Sequence, residues 1–239
     1  MNLVSEWKLD EGTGTTTHDS WGTNNGTLTN NPTWVTSGCV SGNCLSFDGT
    51  DDYVDCGNGS SLNISDNTIT ISAWAKRSTL SSTQRIVHKG GQGNVFLDYN
   101  LTFGAANVVY FGANKTTSTI NSVSTTNTFI STSAWYYIVG TWDGSSYKIY
   151  INGTSEVVGV AEAVTNTNNN NFQIGQRNDN QQRFNGLIDD VKIYNQALST
   201  SEIKQNYYSG INKLYKNKGI VLNEFNQRII GLKNNLANY

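Results

Sequence analysis

Two aspartates stand side by side in the middle of FNGLIDDVKIYNQALSTSEI, residues 184 to 203. Strand side chains alternate between faces, so Asp189 is expected to share a face with Leu187, Val191 and Ile193, and Asp190 to take the other. A carboxylate on an apolar face is costly unless it is partnered, protonated or bound to a cation. Two further groups of hard oxygen donors occur: Asp10, Glu11 and Asp19 near the start, and Asp48, Gly49, Asp51 and Asp52 in FDGTDDY. Calcium takes roughly six to eight oxygens from carboxylates, carbonyls and water, and these are the residue types it needs. The same acids can instead cap turns by accepting backbone N–H bonds, and spacing leaves both readings open.

Other chemistries find less material. Two histidines and three cysteines are too few for a zinc site or a Cys–His nucleophile. In CVSGNC, a two-residue Ser41-Gly42 turn would set Cys39 opposite Cys44 at disulfide distance; two reduced cysteines in a turn are the alternative. A loop that short contributes about 2 kcal/mol, so the bridge reads as a local staple and a marker of an oxidising compartment. Cys56 in YVDCG reads as a buried small hydrophobe. Charged residues are 14% of the chain, with a net charge of −2. No basic block could bind nucleic acid, and no apolar run could insert in a membrane. The N-terminus lacks a signal region, so either a targeting segment has been removed or the chain is not exported by that route. Abundant Asn, Thr, Ser and Gly with plentiful Trp and Tyr suits a turn-rich β-protein working outside the cell.

The elements that must position these residues follow from periodicity. Alternation of apolar and polar residues dominates to about residue 194. TITISAWAK sends Ile69, Ile71, Ala73 and Ala75 to one face and Thr70, Ser72 and Trp74 to the other. WYYIVGTW and SSYKIYI flank Asp143-Gly144 as a hairpin, and Asn152-Gly153 marks the next turn. Many short strands with regular turn signals predict an all-β sandwich or jelly roll. Ser199 and Glu202 form a capping box that opens a helix. Ile211, Leu214, Ile220, Leu222, Phe225, Ile229, Leu232 and Leu236 continue at helical spacing around a Lys218-Gly219 break. That predicts a helical hairpin over 209–239 appended to a domain over 1–208, packed on its own sheet or used for self-association through 211–236.

Three blocks carry a resemblance: LSFDGTDDYVDCGNGSSLNISDNTITISAWAK, WYYIVGTWDGSSYKIYING and FNGLIDDVKIYNQALSTSEI. In this order and at these separations they resemble the laminin-G-like domains of the concanavalin A-like lectin/glucanase superfamily. WKLDEGTGTTTHDSWGTNNGTL resembles that family's first strand and loop. The C-terminal stretch weakly resembles short bacterial oligomerisation hairpins. The resemblance implies two antiparallel sheets with the first and last strands as neighbours, in an extracellular or cell-surface protein that binds a glycan or a protein and is mostly non-catalytic. Many members hold a structural calcium. If first and last strands pair, the first and third acid groups meet, and one calcium is expected on Asp189 and Asp19 with help from Asp10 and the Gly49 carbonyl.

The superfamily also includes hydrolases, which present a Glu-x-Asp-x-Glu run along one strand. No such run occurs here, and the glutamates at 6, 11, 156, 162, 202 and 224 are scattered. Arg85, His88 and Gln92 could imitate a lyase site, but the segment also matches the non-catalytic family's Lys-Gly turn. For a sugar site, aromatic faces beside amides or Arg are required. Tyr99, Tyr110, Arg177, Asn178 and Arg183 are the ligand candidates, with Trp21, Trp34 and Tyr150 behind them; core packing is the alternative for each aromatic. Trp74 and Trp135 belong to strand motifs and are expected in the core.

Overall fold

The structure is a computed structural model that describes residues 2–236 except 65–67, 81, 92–96, 106, 114–121, 127–129, 133 and 161–168. Gln92 and Glu162 therefore lie outside the described residues. Among the described residues, sixteen strands, numbered along the chain, form two antiparallel sheets. The first sheet runs β14 (Thr154–Val160), β13 (Ser146–Ile151), β12 (Tyr136–Trp142), β7 (Ile69–Arg77), β16 (Asn185–Tyr194), β5 (Cys44–Asp48) and β4 (Thr33–Val35), with β1 (Leu3–Trp7) also on β16. The second runs β11 (Ser122–Ser124), β10 (Val109–Ala113), β9 (Leu97–Phe103), β8 (Gln84–Gly90), β15 (Phe172–Ile174), β6 (Tyr53–Asp55), β3 (Gly26–Thr29) and β2 (Thr16–Thr17).

Alternation places the core as expected. Ile69, Ile71, Ala73 and Ala75 of β7 point between the sheets, where they join Val54, Leu101, Phe103, Phe111, Phe172 and the free thiol Cys56. Trp7 stacks on Phe172 with ring centroids 5.0 Å apart, tying the first strand to the opposite sheet.

The other face of β7 is buried as well. Trp74, Tyr137, Tyr150 and Tyr194 point away from the second sheet and are covered by α1 (Thr200–Lys216), whose Ile203, Tyr207, Ile211 and Leu214 are buried against them with Trp135. The Ser199–Glu202 capping box is present at its start. Burying each large side chain stabilises by about 1.5–3 kcal/mol, enough to hold a helix that would be marginal alone. A second helix, α2 (Leu222–Leu236), follows the break, where Lys218 has a left-handed φ of 58°. It returns along α1, with Phe225 stacked on Tyr215 at 4.8 Å and Arg228 donating to the Trp135 carbonyl at 2.9 Å. Since α1 is continuous from Thr200 to Lys216, the boundary expected at 208/209 falls inside a helix docked on the sandwich. The expected self-association stretch divides: the α1 stripe is spent on the sheet, whereas Val221, Leu222 and Ile230 are exposed.

One strand sets up the site. On one edge β16 pairs with β7; on the other it pairs with β5 through residues 185–188 and with β1 through 191–194. The first and last strands are thus neighbours. Asp189 and Asp190 lie where β5 hands over to β1.

Candidate functional site

At that hand-over the ladder with β7 is bulged between Asp189 and Lys192, and Asp190 has a left-handed φ of 48°. A bulge shifts side-chain parity by one. Ile188, Val191 and Ile193 all point into the core, while Asp189 shares the opposite face with Leu187. The expectation that Asp189 would side with Val191 and Ile193 is corrected by this bulge. Both carboxylates are buried all the same, because the disulfide turn and α1 cover that face. The disulfide itself is present between Cys39 and Cys44, with Cα atoms 5.6 Å apart. Cys44 pairs across the ladder with Val35, so Cys39 belongs to the loop and is no cross-strand partner.

Asp189 Oδ2 accepts the backbone N–H groups of Val40 at 2.8 Å and Ser41 at 3.1 Å, which is the turn-capping role. Its Oδ1 is buried and has no hydrogen-bond partner among the described residues. Burial and the neighbouring Asp190 charge push the Asp189 carboxyl well above the usual range. Asp190 meets Lys213 of α1 at 3.7 Å. Asp10 reaches the same region: its Oδ1 accepts Asn43 N–H at 3.0 Å, and burial followed by the charge of Asp190 raises its carboxyl.

Asp19 and Gly49 stand elsewhere. Asp19 bridges Trp7 one strand beyond β16, and its Oδ1 accepts Glu6, Trp21 and Gly22 N–H groups. Its Oδ2 accepts Asn24 N–H at 3.0 Å. Burial alone would raise this carboxyl, but the donors hold it below the usual range. Gly49, with φ of 77°, packs on Asn185, so that an added Cβ would lie 2.8 Å from that side chain. Asn185 is four residues, or about 13 Å, along the strand from Asp189. The expected four-residue calcium set therefore does not converge; of it, only Asp10 and Asp189 come together. Among the described residues, the one trio of acids with oxygens within 4.8 Å is Asp48, Asp51 and Asp52. There Asp48 Oδ1 accepts Thr50 and Asp51 N–H groups, and Asp52 Oδ2 accepts Asp48 N–H.

Next to that turn the sandwich opens into a pocket of about 400 Å³, lined by Gly49 and by Ser82, Thr83, Asn180, Gln181, Gln182 and Arg183. These come from three separate turns. The 177–183 loop is pinned by backbone bonds: Arg177 N–H to Gln181 O, Asn180 N–H to Arg177 O, and Arg85 N–H of β8 to Gln182 O. Gln182 Oε1 and Arg183 Nε are buried, with no hydrogen-bond partner among the described residues. Among the described residues, the lining contains no carboxylate, imidazole or thiol.

Of the five ligand candidates, Arg183 alone lines this pocket. Tyr99 is 3% exposed and donates to the Leu62 carbonyl at 2.9 Å, a core residue rather than a platform. Tyr110 is 37% exposed on β10, away from the pocket lining. Arg177 is held by both oxygens of Asp179, each at 2.7 Å. Asn178 donates to Gly90 O and Asn171 O, fastening its loop. Trp21 is exposed, Trp34 donates to Gly14 O, and Tyr150 is buried beneath α1. His88, between Gln173 and Asn100 in the second sheet, is fully buried, which removes the imagined lyase base from any substrate. Burial, with Arg85 and Arg177 nearby, lowers its pKa to about 3.

A two-sheet antiparallel jelly roll with a polar rim pocket defines a class of β-sandwich modules. Residues 48–204 match the family model of the concanavalin A-like lectin/glucanases superfamily, and the chain belongs to that family, in its laminin-G branch. It is similar to the adhesion G-protein coupled receptor V1 of Danio rerio, at 27% identity over 144 residues. That match takes in 57% of the chain and 2% of the receptor, so the chain spans a small fraction of this relative. Among solved structures, the binding domain of Paraclostridial Mosquitocidal Protein 1 superposes with a TM-score of 0.70 at 19% identity, over 88% of this chain and 53% of that one. Domain 4 of the extracellular arabinanase AbnA from Geobacillus stearothermophilus, solved with arabinotriose, superposes with a TM-score of 0.65 at 20% identity, over 85% and 97% of the two chains. These structural likenesses establish the fold.

Proposed function

We propose that the chain is a non-catalytic recognition domain of an extracellular or cell-surface protein, binding a glycan or a protein partner. The observation that carries this reading is the rim pocket: open, polar, pinned by backbone bonds, and with no carboxylate, imidazole or thiol among its described lining residues. Its relatives support it. The mosquitocidal protein's domain is a binding domain, the arabinanase domain was solved with arabinotriose, and the Danio rerio relative is an adhesion receptor. The disulfide suits an oxidising compartment, and among the described residues no helix is long and apolar enough to cross a membrane.

A structural calcium belongs to the same proposal, on a revised ligand set. The partnerless buried Oδ1 of Asp189, whose carboxyl the charges of Asp190 and Asp10 push further up, is the donor that supports an ion there; the three carboxylates do not bring one oxygen each within 4.8 Å of one another, so backbone carbonyls and water would have to complete the shell. Asp19 and Gly49 contribute nothing to it. A melt of the domain with calcium and with chelator tests this: the ion raises the melting temperature, and coincident curves exclude it.

Binding on a glycan array, followed by mass spectrometry of the recovered ligand, tests the recognition reading. An intact ligand is expected; a cleaved one would make the chain an enzyme. A second reading, assembly through the helices, is favoured by the exposed Val221 and Leu222 at the start of α2 and the exposed Ile230 in its middle. Sedimentation separates it from the first: a monomer at working concentration leaves those residues without a subunit to meet.

A further inference from the structure

We infer that the Cys39–Cys44 bridge is a redox-dependent latch for the second helix: α2 docks on the sandwich once the pair is oxidised and is released while the pair is reduced, with α1 seated in both states. The latch is a relay of contacts. Gly38, next to Cys39, accepts the Trp135 indole N–H at 2.8 Å, and the Trp135 carbonyl in turn accepts from Arg228 of α2 at 2.9 Å. Gly219, in the break before α2, approaches so closely that an added Cβ would lie 3.1 Å from the Gly38 carbonyl. The bridge itself is part of the second core, with Val40, Leu214 and Ile220.

Oxidation is what fixes Gly38. Val40 and Ser41 are tied to Asp189, and Asn43 to Asp10, by their own N–H groups, and these ties do not need the bridge. Gly38 lies on the other side of Cys39. Among the described residues, no backbone bond outside the strands holds Thr36, Ser37 or Gly38. Magnitudes decide which helix responds. The burial of Ile203, Tyr207, Ile211 and Leu214 on α1 outweighs what so short a disulfide loop contributes. Among its described side chains, α2 packs on that core with Phe225 and Ile229, both only partly buried, and has Arg228 as its polar tie. For an element held so lightly, losing one tie shifts the docked population about tenfold. Cys39 and Cys44 are fully buried once α2 is down, so the exchange precedes docking. One cysteine thiolate attacks the disulfide of an oxidant such as oxidised glutathione, and the other then resolves the mixed disulfide. The oxidant leaves as two thiols, carrying the two electrons and the two protons. In a reducing compartment α2 stays released, and transfer to an oxidising one closes it.

Hydrogen exchange read by mass spectrometry tests the latch, on the whole chain folded with oxidised glutathione or with a phosphine reductant throughout. Alkylation after denaturation verifies the states, since the oxidised chain keeps only Cys56 as a free thiol. Amides from Asn226 to Gly231 are expected to exchange about tenfold or more faster in the reduced chain, while those of Ile203 to Ile211 and of β7 keep their rates. Trp135→Phe, with the bridge intact, keeps an aromatic ring but removes the indole donor, and is expected to speed the same α2 amides. Equal α2 exchange in the two redox states overturns the latch. So does an equal acceleration of α1 and β7, which would make the bridge a general staple, and so does a Trp135→Phe chain whose α2 exchanges as in the wild type.

Discussion

Asp189 spends one oxygen on two backbone N–H groups of the disulfide turn and keeps the other unpaired, whereas Asp190 meets a lysine that is half exposed. Their replacements should differ accordingly. Asp189→Ala strands two buried donors and is expected to cost ~3 kcal/mol in denaturant unfolding, while Asp190→Ala loses a solvent-screened pair and is expected to cost no more than ~1 kcal/mol. Equal losses would contradict the partner assignment. His88 gives a second prediction. Its folded pKa of about 3 lies below the unfolded value of about 6.5, so between the two the unfolded chain binds the extra proton. Its contribution is full above about pH 6.5 and is lost as pH falls toward 3, by up to ~5 kcal/mol. The stability difference between the wild type and His88→Gln should therefore change across that window, and a constant difference would place His88 in water. Of these residues, alternation found the importance of Asp189 but misjudged its face. Counting by twos cannot see a bulge, and the left-handed Asp190 that makes it is a conformation Asp tolerates without announcing it.

Helix α1 is the element on which the second core depends. Gly210 lies against the Trp74 ring, and a Cβ there would come within 2.4 Å of it. Gly210→Ala is therefore expected to destabilise by ~1–3 kcal/mol through overpacking, although alanine favours helices elsewhere. A stabilised variant would mean that the helix does not dock there. The capping box, the helical period and the break at Lys218-Gly219 were legible in the sequence, because each is a local signal. The docking of α1 across residue 208 was not, since it depends on Trp74 and Tyr137 lying far away in the chain and turning their rings outward. The cysteine pairing was legible for the same local reason, but its setting in a long loop was set by the register of Val35 with Cys44.

At the scale of the molecule, the sandwich was readable because alternation runs through nearly every strand, and the blocks around Asp48, Trp142 and Asp189 fix the order in which the strands close. The rim pocket was not. Gly49, Ser82, Thr83 and residues 180–183 come from turns far apart in sequence, and each alone is an ordinary polar loop; Arg183 alone among the candidates fell inside it. Recognition by this domain requires that ligand bind at this end of the sandwich. Amide chemical-shift mapping of the isotope-labelled chain, titrated with the glycan that binds best on the array, measures that directly. The largest shifts are expected at Ser82, Thr83 and Asn180 to Arg183. Shifts confined to Tyr215 to Ile230, or to the outer face around Tyr110, would contradict it.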